Sequence, residues 1–245
     1  MPPYFTPLAN IQSVLIVPMY NPSEGWEHIF MKHYREFCDL LEFDIQVVLS
    51  DDGSTNDIQE AIQFLRSSLG EKLTYISAER NKGKGAALKA GVKLIRADNY
   101  IFTDIDFPYT AESMVSVYQS CLDNRGVVMG IRDKNYYNDI TRFRTWLSKI
   151  LRWFNKLLLQ LPSNDTQCGL KAFDAIGGEI LVDCKTDRFL IDLEFLLSAN
   201  QKKVKITPVQ VSLRNNVEFT KFNTLVLFKE LANFAGLIWR YRIKG

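Results

Sequence analysis

Tyr100-Ile-Phe-Thr-Asp-Ile-Asp106 reads as a buried strand that runs into two carboxylates and is closed off by Pro108. Tyr100 to Thr103 are all β-branched or aromatic, the residue types that suit a pleated, buried surface. Side chains alternate along extended backbone, so Asp104 and Asp106 point the same way. Two carboxylates held ~4 Å apart at an effective dielectric of 20 repel by about 4 kcal/mol. A divalent, oxygen-seeking cation removes that penalty, and Mg2+ characteristically takes one or two carboxylates together with ligand phosphates. Taken alone, so short a pattern is better explained as a solvated acidic turn. What surrounds it shifts the balance.

Upstream, Ser13–Val17 reads as a strand that stops at the breaker-rich loop Pro18-Met-Tyr-Asn21. Helical spacing follows over about 25–41, then a strand at Ile45–Leu49 that runs into Ser50-Asp-Asp-Gly-Ser-Thr-Asn-Asp57. That loop is rich in capping residues and predicts a helix over roughly 58–69. Leu73–Ser77 reads as a third strand, and Glu79-Arg-Asn-Lys-Gly-Lys-Gly-Ala-Ala-Leu88 as a basic glycine loop opening a helix to about Arg96. Strand and helix thus alternate up to Asp106, which predicts an α/β fold with a parallel sheet and right-handed crossovers. Ligands in such sheets bind beyond the carboxyl ends of the strands. The Pro18–Asn21 loop, the Ser50–Asp57 loop and the Asp104–Asp106 turn should converge there.

Each loop offers something to a ligand. Tyr20 has a flat face on which a base can stack. Asp51 and Asp52 can accept hydrogen bonds from a base or ribose, although an Asx turn with Asp52 capping the next helix explains them too. Arg80, Lys82 and Lys84 surround Gly83 and Gly85 near a helix start, where backbone N–H groups favour an anion. The pattern is neither G-x-G-x-x-G nor a P-loop, and a solvated lysine loop is an equal reading of it in isolation. An aromatic platform, a basic glycine loop and a carboxylate pair at one rim together specify a nucleoside diphosphate with its metal.

Composition narrows the field. The 245 residues are 47% hydrophobic and 24% charged, as in an ordinary globular protein. A net charge of +2 gives no global argument for nucleic acid. Cys38, Cys121, Cys168 and Cys184 show no C-x-x-C spacing, which points away from a disulfide framework or zinc site and toward a reducing, cytoplasmic setting. No signal peptide and no run of spanning length is evident. His28 and His33 sit five apart on a predicted helix, so a shared metal is not expected.

The motifs resemble those of the inverting family 2 glycosyltransferases with the GT-A fold, most of all the dolichyl- or polyprenyl-phosphate sugar synthases. The matching pieces are VPMYN at 17–21, SDDGSTND at 50–57, NKGKGAALKAG at 81–91, TDID at 103–106, Gly130-Ile-Arg132, Asn164-Asp-Thr-Gln-Cys-Gly-Leu-Lys-Ala-Phe173 and Phe189-Leu-Ile-Asp-Leu-Glu-Phe195. The resemblance implies one GT-A domain over 1–245. Residues 13–106 would form a nucleotide-sugar-binding half, 107–215 an acceptor half, and 216–245 an amphipathic, interfacial C-terminal helix. It implies that Pro18, Tyr20, Asn21, Asp51, Asp52 and Lys84 serve the UDP- or GDP-hexose donor. Asp104 and Asp106 would hold the diphosphate with Mg2+ or Mn2+. Arg132 and Arg144 would face an acceptor phosphate, with Asp165, Gln167 and Lys171 on the same side and Asp192 and Glu194 on a helix beneath. Pro108 and Ile131 depart from the family pattern, at a position where some relatives have a further metal ligand and at a common serine.

The acceptor implied is a lipid phosphate, with a saccharide hydroxyl as the alternative; the latter requires a base, for which Asp165 is the candidate. A nucleotide-sugar-binding module without activity and a nucleotidyltransferase are the readings from other classes. Residues 142–161 carry five basic and no acidic residues with apolar positions at helical spacing, which predicts a helix on an anionic membrane surface, or one packed on the sheet. Peripheral contact at the inner membrane face follows from a prenyl acceptor.

Overall fold

The structure, a computed structural model, describes residues 11–132 and 165–214 together with Leu237 and Tyr241. The helix read over 142–161 and most of the C-terminal one read over 216–245 lie outside the described residues. The first half alternates as expected: β1 (Ile11–Met19), α1 (Trp26–Leu41), β2 (Gln46–Asp51), α2 (Gln59–Leu69), β3 (Leu73–Ser77), α3 (Lys84–Leu94) and β4 (Ala97–Phe102). Element ends differ from the sequence expectation by a few residues, the usual fraying of boundaries. The second half supplies α4 (Ala111–Asn124), β5 (Val127–Arg132), β6 (Lys171–Asp174), α5 (Ala175–Asp183), α6 (Ile191–Gln201) and β7 (Ile206–Val211).

All seven strands form one sheet in the order β3-β2-β1-β4-β6-β5-β7. The first four are mutually parallel, with Ile16 aligned to Val48 on one side and to Phe102 on the other. The apolar run of β1 follows from burial on both faces. Leu15 and Val17 pack toward Phe30 and Phe37 of α1, while Val14 and Ile16 pack with Leu88 of α3 and Phe195 of α6. This is the period-two alternation of a strand between two helical layers.

Alternation alone did not predict β6. It runs antiparallel between β4 and β5, with Phe102 opposite Lys171 and Met129 opposite Lys171. Because β6 enters where β4 leaves, the segment before it, Asp165–Leu170, arrives at the rim that carries Asp104. β5 leaves at that rim too and delivers Arg132. β6 ends at Asp174, whose carboxylate caps α5 through Gly177 N at 2.9 Å and takes Gly126 N at 2.8 Å. At the C-terminal end of the chain, Leu237 is buried and the Tyr241 hydroxyl meets Ser198 Oγ at 2.8 Å and Glu194 Oε1 at 3.1 Å on α6. Among the described residues no helix is long and apolar enough to cross a membrane.

Candidate active site

Strand order reverses between β1 and β4, and in open α/β sheets a ligand crevice opens at such a point. Tyr20 follows β1 there and is 47% exposed, so its ring is available for stacking, whereas Pro18 is buried. Asp104 follows β4. Its Oδ1 pairs with Lys84 Nζ at 2.8 Å, and Lys84 also lies 3.4 Å from Asp192 Oδ2. Asp192 Oδ1 accepts from Lys171 Nζ at 2.6 Å, and the same ammonium donates to Cys168 O at 2.5 Å and Thr166 O at 3.3 Å. A chain of alternating charge, largely buried except at Asp104, thus links α3, the turn after β4, α6, β6 and the loop before it. Both ammonium groups also lie 5.5 Å from the centroid of the Phe102 ring, within cation–π range. Burial alone would lower the Lys84 pKa, but the charges of Asp104 and Asp192 outweigh it and raise it. Burial would likewise raise Asp192, and Lys171 and Lys84 outweigh it, so its carboxyl is held below the ordinary range.

Asp106 reaches solvent yet sits in a recess. Loss of surrounding water, and then the charge of Asp104, push its pKa up to about 6. Gly169 lies directly on the other face of Asp104: a Cβ there would overlap Asp104 Oδ2. Tyr109 fixes this approach by accepting Gly169 N at 2.9 Å, with Cys168 Sγ at 3.3 Å. Next to that loop, Asp165 binds Arg132 in a fork, with Nε to Oδ2 at 3.0 Å and NH2 to Oδ1 at 2.5 Å, and it also takes Arg132 N at 2.8 Å. Gln167 is partly exposed beside them. Arg144 lies outside the described residues.

Asp51, which ends β2, and Asp52 after it both bind donors of the protein itself. Asp51 is 3% exposed and takes Ser54 N, Ser54 Oγ, Tyr75 OH and Ser77 Oγ at 2.6–3.0 Å, which fills the capacity of a carboxylate. Asp52 does not cap α2. It reaches across to the basic loop, taking Lys82 N at 2.9 Å and Gly83 N at 2.6 Å. Two N–H groups of that glycine loop are therefore taken by the protein's own carboxylate. Gly83 has φ 121° and backs onto Asp187, and a Cβ on Gly85 would lie 2.8 Å from Thr186 O, so these glycines allow the segment before α6 to close in. Asn21 ties the first loop to the second: its Oδ1 takes Thr55 N at 2.7 Å and its backbone N donates to Ser54 Oγ at 2.8 Å.

With this geometry in place, the comparisons are specific. The family model for glycosyl transferase family 2 matches residues 14–185, more than half of the chain. This chain belongs to glycosyltransferase family 2. Among curated relatives, it is 26% identical over 224 residues to the dolichyl-phosphate beta-glucosyltransferase of Dictyostelium discoideum, covering 84% of this chain and 67% of the relative. It is 22% identical to the undecaprenyl-phosphate 4-deoxy-4-formamido-L-arabinose transferase of Pseudomonas fluorescens (strain SBW25), covering 70% of this chain but only 49% of that protein. Among solved structures, glucosyl-3-phosphoglycerate synthase from Mycobacterium tuberculosis, in complex with Mn2+, UDP and glucosyl-3-phosphoglycerate, matches with a TM-score of 0.62 at 15% identity, over 98% of this chain and 86% of that one. That likeness shows the fold, a GT-A sheet with helices on both faces.

The glycosyltransferase has a carboxylate set that fits a divalent cation. Among the described residues no three His, Cys, Asp or Glu side chains gather into a metal cage. Asp104 and Asp106 both follow β4 at the crevice, and the pKa of Asp106 is raised first by loss of surrounding water and then by the charge of Asp104. Two carboxylates, with the remaining positions left to phosphate and water, form a Mg2+-type donor set. His28 and His33 take no part: His28 packs on Phe64 and His33 bonds Glu36. The sequence reading missed Tyr109, which anchors the loop before β6. The aromatic Tyr109 three residues after Asp106 was the available signal, but only the tertiary contact gives it meaning.

Proposed function

We propose that this glycosyltransferase moves a hexose from UDP-glucose or GDP-mannose to a polyprenyl phosphate, with inversion at the anomeric carbon. The observation that carries this reading is the Arg132–Asp165 fork beside the Asp104 crevice. A hydroxyl acceptor needs a base to take its proton, and a carboxylate clasped by a guanidinium is a poor one. A phosphate acceptor is already anionic and needs none. An arginine on the rim suits it, since a guanidinium recognises phosphate oxygens through paired donors. The curated relatives named for dolichyl and undecaprenyl phosphate support the same acceptor class.

In this reading Tyr20 stacks on the base and Asn21 holds the two nucleotide-side loops in register. Asp104 and Asp106 would hold Mg2+ or Mn2+, which when bound supplies charge neutralisation for the departing diphosphate. Lys84 adds positive charge on the same side. An acceptor phosphate oxygen forms the new bond to the anomeric carbon from the face opposite the nucleotide. The bond from that carbon to the diphosphate breaks, and its electron pair leaves with the nucleotide. Arg132, steadied by Asp165, orients the acceptor.

The deciding experiment supplies UDP-glucose or GDP-mannose with Mn2+ and either a short polyprenyl phosphate or a saccharide acceptor. The expected product is a lipid-phosphate sugar of inverted anomeric configuration. Transfer only to the saccharide would overturn the acceptor assignment. Asp165→Asn should slow transfer to phosphate moderately; near-total loss would make Asp165 a base after all. The basic stretch 142–161 supports peripheral membrane contact at the cytoplasmic face, for which flotation with anionic vesicles should weaken as salt rises.

A further inference from the structure

The two lysines on Asp192 are not equivalent. Lys171 is 0% exposed and its ammonium has three acceptors: Asp192 Oδ1, Cys168 O and Thr166 O. An ammonium has three N–H donors, so this one is fully satisfied and has no reason to move. Lys84 is short of that. It holds Asp104 Oδ1 at 2.8 Å but reaches Asp192 Oδ2 only at 3.4 Å, a contact longer than a good charged hydrogen bond. The other oxygen of Asp104 is backed by Gly169. A cation that comes to Asp104 therefore meets Lys84 already on the open oxygen. Two cations on one oxygen repel, and Lys84 has a second carboxylate a few tenths of an ångström from full contact.

We propose that Asp192 is a positioning residue for the donor carboxylate: it takes Lys84 over from Asp104 when metal and nucleotide bind. The same carboxylate stays tied through Lys171 to the Thr166 and Cys168 carbonyls. The inference rests on the reading of Asp104 as a metal-bearing carboxylate and adds the residue that makes its oxygen available.

The test is a double-mutant cycle read by Mn2+ binding at fixed UDP, followed by the electron paramagnetic resonance signal of free Mn2+ rather than by turnover. Asp192→Asn should weaken Mn2+ binding at least tenfold while Lys84 is present, and by less than twofold in a Lys84→Met background, where no lysine needs to leave. Equal losses in both backgrounds, or no loss in either, would overturn the proposal and reduce Asp192 to a structural charge. A crystal structure of the unaltered protein with Mg2+ and UDP keeps the proposal open to refutation if Asp192→Asn does not fold. Lys84 Nζ should then lie within hydrogen-bond distance of Asp192 and off Asp104; a lysine still on Asp104 beside the metal overturns it. Failure of the unaltered protein to bind Mn2+ and UDP at all would instead overturn the metal reading itself, and this inference with it.

Discussion

Gly169 and Asp104 set the tightest tolerance in the site, because glycine is the one residue whose side chain does not collide with Asp104 Oδ2. Gly169→Ala should displace that carboxylate or the loop by a fraction of an ångström to an ångström. Misplacement on that scale costs about 100-fold in rate. The check is kcat for hexose transfer, with circular dichroism showing an intact fold. Asp104→Ala and Asp106→Ala should each remove metal-stimulated turnover, and EDTA should do the same to the unaltered enzyme; full activity in EDTA would contradict the metal role. Asp104 and Asp106 were legible as an acidic pair after a buried strand, but they lie in the turn that follows β4 rather than on the strand, so the alternation argument does not apply to them. The partnering of Asp104 with Lys84, twenty residues back in the chain, was not legible, since spacing says nothing about which loops meet.

At the scale of elements, the short basic loop before α3 is held between two parts of the chain. Asp52 takes its N–H groups from the β2 side, and Ala86 N bonds Asp187 O from the α6 side at 3.0 Å. Asp52→Ala leaves Lys82 N and Gly83 N without their acceptor. The expected loss is about 1–3 kcal/mol of stability, as for other polar groups stripped of partners, and the urea midpoint should fall accordingly. The sequence pointed to an anion at this loop and was right about the sign of the charge. It did not name Asp52 as a partner of the loop, because a carboxylate thirty residues away is invisible to local pattern.

Across the whole molecule, α6 is the member that ties the halves together. Its first turn carries Asp192 and Glu194, where negative charge suits the helix dipole. Burial would raise Glu194, but hydrogen bonds from Thr186, Lys185 and Tyr241 outweigh it and hold its pKa down. Both carboxyls therefore have folded pKa values below their unfolded ones. Their stabilisation is complete above the unfolded range near pH 4 and is lost as pH falls through the lower folded values. These two carboxyls should make thermal midpoints drop below about pH 4, whereas Asp106, whose raised folded pKa costs stability at neutral pH, should let them rise as pH falls from about 7 toward about 5. A panel of nucleotide sugars with Mn2+ should raise the midpoint most for the true donor.

The sequence by itself determined the α/β alternation, the buried strand that precedes Asp104 and Asp106, and the rim on which the loops after β1, β2 and β4 lie, because all of these are written in local periodicity and breaker residues. It also carried family membership, through seven short motifs in order. Only the tertiary structure decided that β6 runs antiparallel and brings Asp165–Gly169 to that rim. It alone showed that Asp51 and Asp52 bind the protein's own donors, and that Lys84 and Lys171 share Asp192. Those facts depend on contacts between segments far apart in the chain, where charge and hydrogen-bond satisfaction inside a packed interior choose the partner, and no local pattern encodes that choice.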